Sequence, residues 1–208
     1  MKSEKVEPYN IYDFPDEAAW LKGRMNGIGG SDASAIVGMN PYKSNIELFE
    51  EKTGRRIELD ISDKPYVIYG KKAEEPIREL FKLDYPEYQV EHHEFRILQS
   101  KAYPFMQASL DGELTDQDGR KGILEIKTTN ILQSMQREKW KDRIPDNYYI
   151  QVLHYLLVTG YDFIVHGDGG PGRAAGGHKG RKGGDDHDDG QAHPARAWAM
   201  TAGRQSTT

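Results

Sequence analysis

After Val165 the chain contains no Leu, Ile, Val, Phe or Tyr. Everything able to bury a substantial core therefore lies in residues 1–165, enough for one domain of ordinary size. Residues 166–208 hold eleven of the 22 glycines, and such a segment cannot offset its ordering entropy by burying apolar surface. The expectation is a globular unit over 1–165 followed by a low-complexity tail over 166–208, disordered or translated out of frame. In that tail His178, His187 and the DDHDD run could bind metal weakly, but read more readily as a solvated low-complexity tract.

Within the first 165 residues the periodicities separate. In SNIELFEEKTG, Ser44 and Glu47 have the spacing of a capping box and Gly54 ends the run, predicting a helix. YGKKAEEPIRELFKL puts apolar residues at 73, 77, 80 and 81, one stripe of a second helix, with Pro76 tolerable only in a first turn or at a kink. Residues 88–98 and 103–112 read as strands, and GILEIKTT as a third after the turn TDQDGRK. IPDNYYIQVLHYLLVTG is apolar on almost every side, as a buried helix ending at Gly160 is. Helices, a strand meander and a final helix predict an α/β or α+β domain, a mixed central sheet flanked by helices.

The net charge of −5 averages over all faces, whereas a phosphate responds to the local field. Residues 120–143 carry seven Lys/Arg against the three acids Glu125, Glu138 and Asp142, a pattern that suits phosphate or a solvated helix face. Zero cysteines remove disulfides, thiolate nucleophiles and cysteine-held metals, so any metal must be bound by oxygen or imidazole. No apolar run approaches the roughly 18 residues of a membrane span. The start MKSEKVEPYN offers neither a signal core nor lipidation chemistry, so a cytoplasmic protein with no membrane partner is expected.

The stretch LDGELTDQDGRKGILEIKTTN concentrates chemistry. Side chains two apart on a strand share a face, so Glu125 and Lys127 point together and Ile126 points into the opposite layer. Asp111 sits on the preceding strand, about 4.8 Å away in a hairpin, so both carboxylates can reach one ion. Crowded carboxylates raise one another's pKa unless a cation intervenes, and magnesium takes hard oxygens from carboxylates, phosphate and water. Lys127 would then orient water or neutralise charge at phosphorus. Acids and lysines alternate on exposed hairpin faces as well. Of Glu74 and Glu75, only Glu74 borders the apolar stripe, and Arg78 follows at i+4, the spacing of an exposed ion pair. Gln151 and Tyr155 stand one turn apart with Tyr148 and His154 on the same side, a polar stripe that a core network or a substrate must satisfy. In RMNGIGGSDAS, glycines precede Ser31 at a helix start, where N–H groups, the hydroxyl and Arg24 can form an anion pocket; a plain serine N-cap is the other reading. Trp20 reads as core.

These residues carry a resemblance. Glu74, Asp111 and Glu125-Ile126-Lys127 look like the PD-(D/E)XK nuclease core. RMNGIGGSDASAIVGMNPYKS in front and Gln151 with Tyr155 behind are similar to the YqaJ-type viral recombinases, relatives of phage lambda exonuclease, over residues 20 to about 163. The resemblance implies a restriction-endonuclease-like core with catalytic Glu74, Asp111, Glu125, Lys127 and Gln151, and a metal set of Asp111, Glu125, Glu74 and Ile126. It also implies DNA contacts from Arg24, Ser31 and Tyr155, with Arg24 and Ser31 gripping a terminal 5′-phosphate. The implied activity is that of a Mg2+-dependent exonuclease, with Mn2+ able to substitute, which degrades one strand of double-stranded DNA ends from 5′ to 3′. The 3′ tail would pass to a single-strand annealing protein. A homotrimer ring and a bacterial or prophage setting in phage recombination belong to the same implication. The family usually continues past the Gln/Tyr helix with further strands; the polar tail stands there instead, so C-terminal strands are expected to be missing. A PD-(D/E)XK endonuclease of restriction or repair type would cut closed circles, and a catalytically inactive DNA-binding remnant would bind without turnover; both stay as alternatives.

Overall fold

The computed structural model describes residues 6–57, 59–127, 145–167 and 198–201. Most of the basic run 120–143 and of the tail 166–208 lies outside the described residues. The order is β1 (Tyr9–Asp13), α1 (Glu17–Arg24), α2 (Gly30–Ile36), α3 (Asn45–Lys52), α4 (Pro65–Asp84), β2 (Gln89–Glu91), β3 (Arg96–Ser100), β4 (Gln107–Ala108), β5 (Gly112–Thr115) and β6 (Lys121–Ile126). Then come α5 (Asp146–Thr159), β7 (Phe163–Gly167) and β8 (Trp198–Thr201). No helix among the described residues is long and apolar enough to cross a membrane.

The expected mixed sheet with helices is present as a five-stranded sheet ordered β2-β5-β6-β7-β8, in which only β6 and β7 are parallel. A second, antiparallel sheet is ordered β1-β3-β4. Phe81 of α4 and Tyr85, which caps its C-terminus, pack on Leu114, Leu124, Ile126, Phe163 and Val165 on one face of the large sheet. On its other face, Val152, Tyr155 and Val158 of α5 pack with Ile123, Ile164 and the small sheet's Leu98 and Ala108. Helix α5 is thus covered from two sides, which is why its sequence is apolar almost all round. Leu114, Ile123 and Leu124 are fully buried, each contributing about 1.5–3 kcal/mol, so the middle of β6 is held firmly in register.

The capping box of α3 forms as expected: Glu47 N–H donates to Ser44 Oγ at 3.2 Å and Ser44 N–H to Glu47 Oε2 at 2.9 Å. Gly160 ends α5 in the left-handed conformation. Four expectations need correction. Residues 88–98 are not one strand: β2 and β3 belong to different sheets, and Phe95 between them adopts φ +57°, a costly conformation held by the Phe14 N–H bond to its carbonyl. Residues 103–112 split in the same way, into a tight turn, the short β4, and a crossing into β5. Pro76 lies in the interior of α4, which starts at Pro65, rather than in a first turn. The C-terminal strands are not missing: β7 pairs in parallel with β6, and β8 pairs antiparallel with β7. Backbone pairing along β7 takes in Trp198–Thr201, which carries the tail's tryptophan.

Candidate active site

The β5–β6 turn is closed by its own sequence. Asp116 accepts from the Asp118 and Arg120 N–H groups at 3.0 and 2.8 Å, and Gly119 takes φ +75°. The resulting register pairs Gly112 with Leu124 and so sets Asp111 beside Glu125. Asp111 Oδ2 accepts the Ile126 N–H at 2.7 Å. The Ile126 side chain is buried against Phe81 and Tyr85, leaving only its carbonyl oxygen for any contact with a cation.

Glu125 is 1 % exposed at the centre of the sheet. Its Oε1 receives the Lys127 ammonium at 2.6 Å and the Gln151 amide at 2.7 Å, and the same amide nitrogen donates to Tyr155 Oη at 3.0 Å. Its Oε2 is buried with no hydrogen-bond partner among the described residues. A buried, unsatisfied carboxylate oxygen is costly, and the donor it lacks is of the kind a hard cation replaces. Lys127 Nζ also lies 5.3 Å from the centre of the Tyr148 ring.

The electrostatics follow from crowding under burial. Burial pushes Glu125 up to about 7; Lys127 opposes this and Asp111 adds to it. Burial and then Asp111 push Glu74 up to about 7, against the pull of Arg78 and Lys127. Asp111 is raised by burial, opposed by Lys127, the Ile126 N–H and Arg78. Burial pulls Lys127 down, but the Glu125 and Asp111 carboxylates outweigh it and hold the ammonium above the ordinary lysine value. The three acids therefore share one field. Among the described residues, no three acidic or histidine side chains are drawn together tightly enough to enclose an ion unaided.

Glu74 is half-buried and feels Asp111, whereas Glu75 is exposed. Arg78 is not an exposed partner of Glu74. It is 6 % exposed, and its Nε donates to the Asp111 carbonyl at 2.9 Å, tying α4 to the start of β5. Sequence spacing missed this role because it shows the i+4 neighbour and not the strand underneath. Arg78→Met is expected to cost about 2–4 kcal/mol in chemical denaturation, since a buried carbonyl loses a charged donor. A loss below about 0.5 kcal/mol would return Arg78 to the surface-pair class.

The polar stripe of α5 divides. His154 Nε2 meets the Gln107 carbonyl at 2.9 Å, a core tie, and burial lowers its pKa. Gln151 and Tyr155 instead face Glu125. The loop from Arg24 to Ser31 is pressed against them: a methyl group at Gly30 would stand 2.4 Å from Tyr155 Cε1 and 2.9 Å from Gln151 Cγ, so glycine is needed for the approach. Ser31 is exposed in the first turn of α2, and the cap is Gly29, not Ser31. Arg24 rests its guanidinium 4.7 Å above the Trp20 ring, while Trp20 donates to Ser109 Oγ at 3.3 Å. Trp20 is thus a half-buried shelf as well as packing.

Residues 19–162 match the family model of the YqaJ-like viral recombinase domain, a span that includes every site residue from Arg24 to Tyr155. The uncharacterized protein YqaJ of Bacillus subtilis (strain 168) is 34% identical over 145 residues, which are 69% of this chain and 43% of that protein. The chain thus spans less than half the length of that relative. Among solved structures, the alkaline exonuclease LHK-Exo from Laribacter hongkongensis aligns with TM-score 0.55 and 18% identity over 72% of each chain. The same exonuclease in complex with dAMP aligns with TM-score 0.56 at the same identity and coverage. At that identity the likeness speaks for the fold. With the family match covering the whole helix–hairpin–helix frame around Glu125, the chain belongs to the YqaJ-like viral recombinase family.

Proposed function

We propose that this chain is a divalent-metal-dependent DNA nuclease acting on duplex ends from the 5′ side. The observation that carries the reading is the Glu125 carboxylate, buried at the meeting point of Asp111, Lys127 and Gln151 with one oxygen unsatisfied among the described residues. Asp111, Glu125, Glu74 and the Ile126 carbonyl supply only hard oxygens, the donor set that Mg2+ accepts and Mn2+ tolerates. Because these groups do not close around an ion by themselves, substrate phosphate and water oxygens would complete its shell. The ion, when bound, would polarise the scissile phosphate and steady the leaving oxygen.

The protein's own groups do the rest. Lys127, kept charged by the two carboxylates, offsets negative charge building on the phosphoryl oxygens and aligns the attacking water. Gln151 holds Glu125 Oε1 in place and is itself fixed by Tyr155, so the carboxylate does not swing as charge shifts. Ile126 N–H and Arg78 hold Asp111 from two directions. Arg24, at the end of α1, and Ser31, in the first turn of α2 where Gly30 abuts Tyr155, are assigned to the 5′-terminal phosphate. A phosphate with no upstream neighbour fits only at a strand end, which accounts for end-directed cutting.

Linear duplexes labelled at each end, digested with and without magnesium beside a sealed plasmid, test the reading. Loss of 5′ label first, only with magnesium and with the plasmid intact, is expected; plasmid cleavage would make the protein an endonuclease, and binding without turnover an inactive remnant. Arg24→Ala is expected to lower the preference for 5′-phosphoryl over 5′-hydroxyl ends by about 10-fold or more, the scale of one lost charge-assisted contact. An unchanged preference in competition digests would move the phosphate pocket elsewhere. A ring-forming homotrimer and handover of the 3′ tail to an annealing protein are part of the same proposal, checked by light scattering and by co-purification.

A further inference from the structure

The α1–α2 connection, flanked by Arg24 and Ser31, is tied by neutral backbone bonds at its centre, where Ile28 N–H donates to the Phe105 carbonyl at 2.7 Å and Gln107 N–H to the Ile28 carbonyl at 2.9 Å. Its two ends are tied by one charge. Lys52, the last residue of α3, donates to the Arg24 carbonyl at 3.0 Å and lies 2.9 Å from Asp32 Oδ2. That same carboxylate oxygen accepts the Gly29 N–H at 3.0 Å. The Lys52 and Asp32 side chains are only 18% and 14% exposed, so water competes weakly for the pair.

Asp32 poses a problem for any phosphate-binding role of Arg24. Arg24 Nη2 and Asp32 Oδ2 flank Gly29, 3.8 and 3.6 Å from the position a Cβ would take there. Both groups therefore border Gly29, and a bidentate Arg24–Asp32 pair, were it to form, would consume the donors a phosphate needs. Lys52 pairs with Asp32 and holds the Arg24 backbone by its carbonyl, while the guanidinium lies over Trp20. We propose that Lys52 is a positioning residue that neutralises Asp32 and so keeps Arg24 available for a 5′-terminal phosphate. This rests on the end-phosphate reading above and adds to it the device that stops the pocket from closing on itself.

The test compares duplexes identical except for a 5′-phosphoryl or 5′-hydroxyl end, with affinities measured by fluorescence anisotropy in EDTA and kcat/KM measured with magnesium. Wild type is expected to favour the phosphoryl end in both. Lys52→Met is expected to cut that preference about tenfold with affinity for the hydroxyl end unchanged, and Lys52→Arg to restore most of it. The double variant Lys52→Met/Asp32→Asn is expected to recover the preference, because no carboxylate remains to capture Arg24; a merely structural strut would not be rescued this way. Should Lys52→Met fail to fold, Lys52→Gln, which keeps a donor for the Arg24 carbonyl but no charge, takes its place. A wild-type preference that survives loss of the Lys52 charge, or one that Asp32→Asn does not rescue, overturns the role of Lys52 alone. A wild type that ignores the end group overturns the end-phosphate reading and this role with it.

Discussion

Lys127→Ala is expected to lower magnesium-dependent cleavage by about 10²–10³-fold or more, while duplex binding measured in EDTA changes little. The ammonium lies 2.6 Å from Glu125 and close enough to Asp111 to be held charged by both. Among the described residues it is the side-chain cation paired with Glu125 and lying in the field of Asp111, whereas Arg78 is committed to the Asp111 backbone. Removing it strips compensation from the transition state and leaves buried Glu125 with only the Gln151 amide on Oε1. The variant should therefore also melt lower than wild type without metal, as one partner of a buried pair has been deleted. Single-turnover digestion beside anisotropy and thermal melts checks both parts. Wild-type turnover would remove the lysine from the chemistry, and weak binding without a turnover defect would make it a DNA contact instead.

The second large effect concerns metal and pH together. Glu74 and Glu125 are both raised from an ordinary 4.5 to about 7, and Asp111 is raised as well. A carboxyl group with a higher pKa in the folded than in the unfolded state favours folding in its protonated form. Its contribution is complete below about 4.5 and is lost as pH rises through about 7. In EDTA the melting temperature is expected to fall by at least about 3 °C between pH 5 and pH 8 through these groups. Magnesium is expected to recover much of the loss at pH 8, where the carboxylates are ionised and need a cation, and to do little at pH 5. Asp111→Asn keeps an acceptor for the Ile126 N–H but removes one charge; it should flatten the pH profile, weaken the magnesium response and abolish cleavage. Glu125→Gln should abolish the magnesium response and cleavage too. If only one of the two substitutions matters, the acids do not share an ion. A metal-free melting temperature that stays level or rises over this range would mean that the acids are not strained by burial.

Legibility differed from one element to the next. The α3 capping box, the Gly160 stop of α5 and the β5–β6 hairpin were readable because their signals are local: a side chain caps its own helix and an aspartate closes its own turn. The Phe95 corner was not readable. A phenylalanine with φ +57° carries no glycine or proline signature, and it exists because surrounding tertiary contacts, including the Phe14 N–H, hold it there. Strand β8 was missed for a related reason: polar surroundings argued against order, whereas a sheet edge asks only for backbone donors and acceptors.

The sequence by itself determined the chemistry available here: which strand alternates Glu125 with Lys127, which acid precedes the turn, which helix offers Gln151 and Tyr155, and which segment bears Arg24. Those are questions of period and spacing, and period is a property of the local chain. Only the tertiary structure decided that Arg78 braces Asp111, that His154 is a core tie, that Lys52 answers Asp32, and that one oxygen of Glu125 is buried without a partner among the described residues. These facts depend on which surfaces meet across two sheets and a helix packed between them, and on how far burial raises the cost of each unpaired charge.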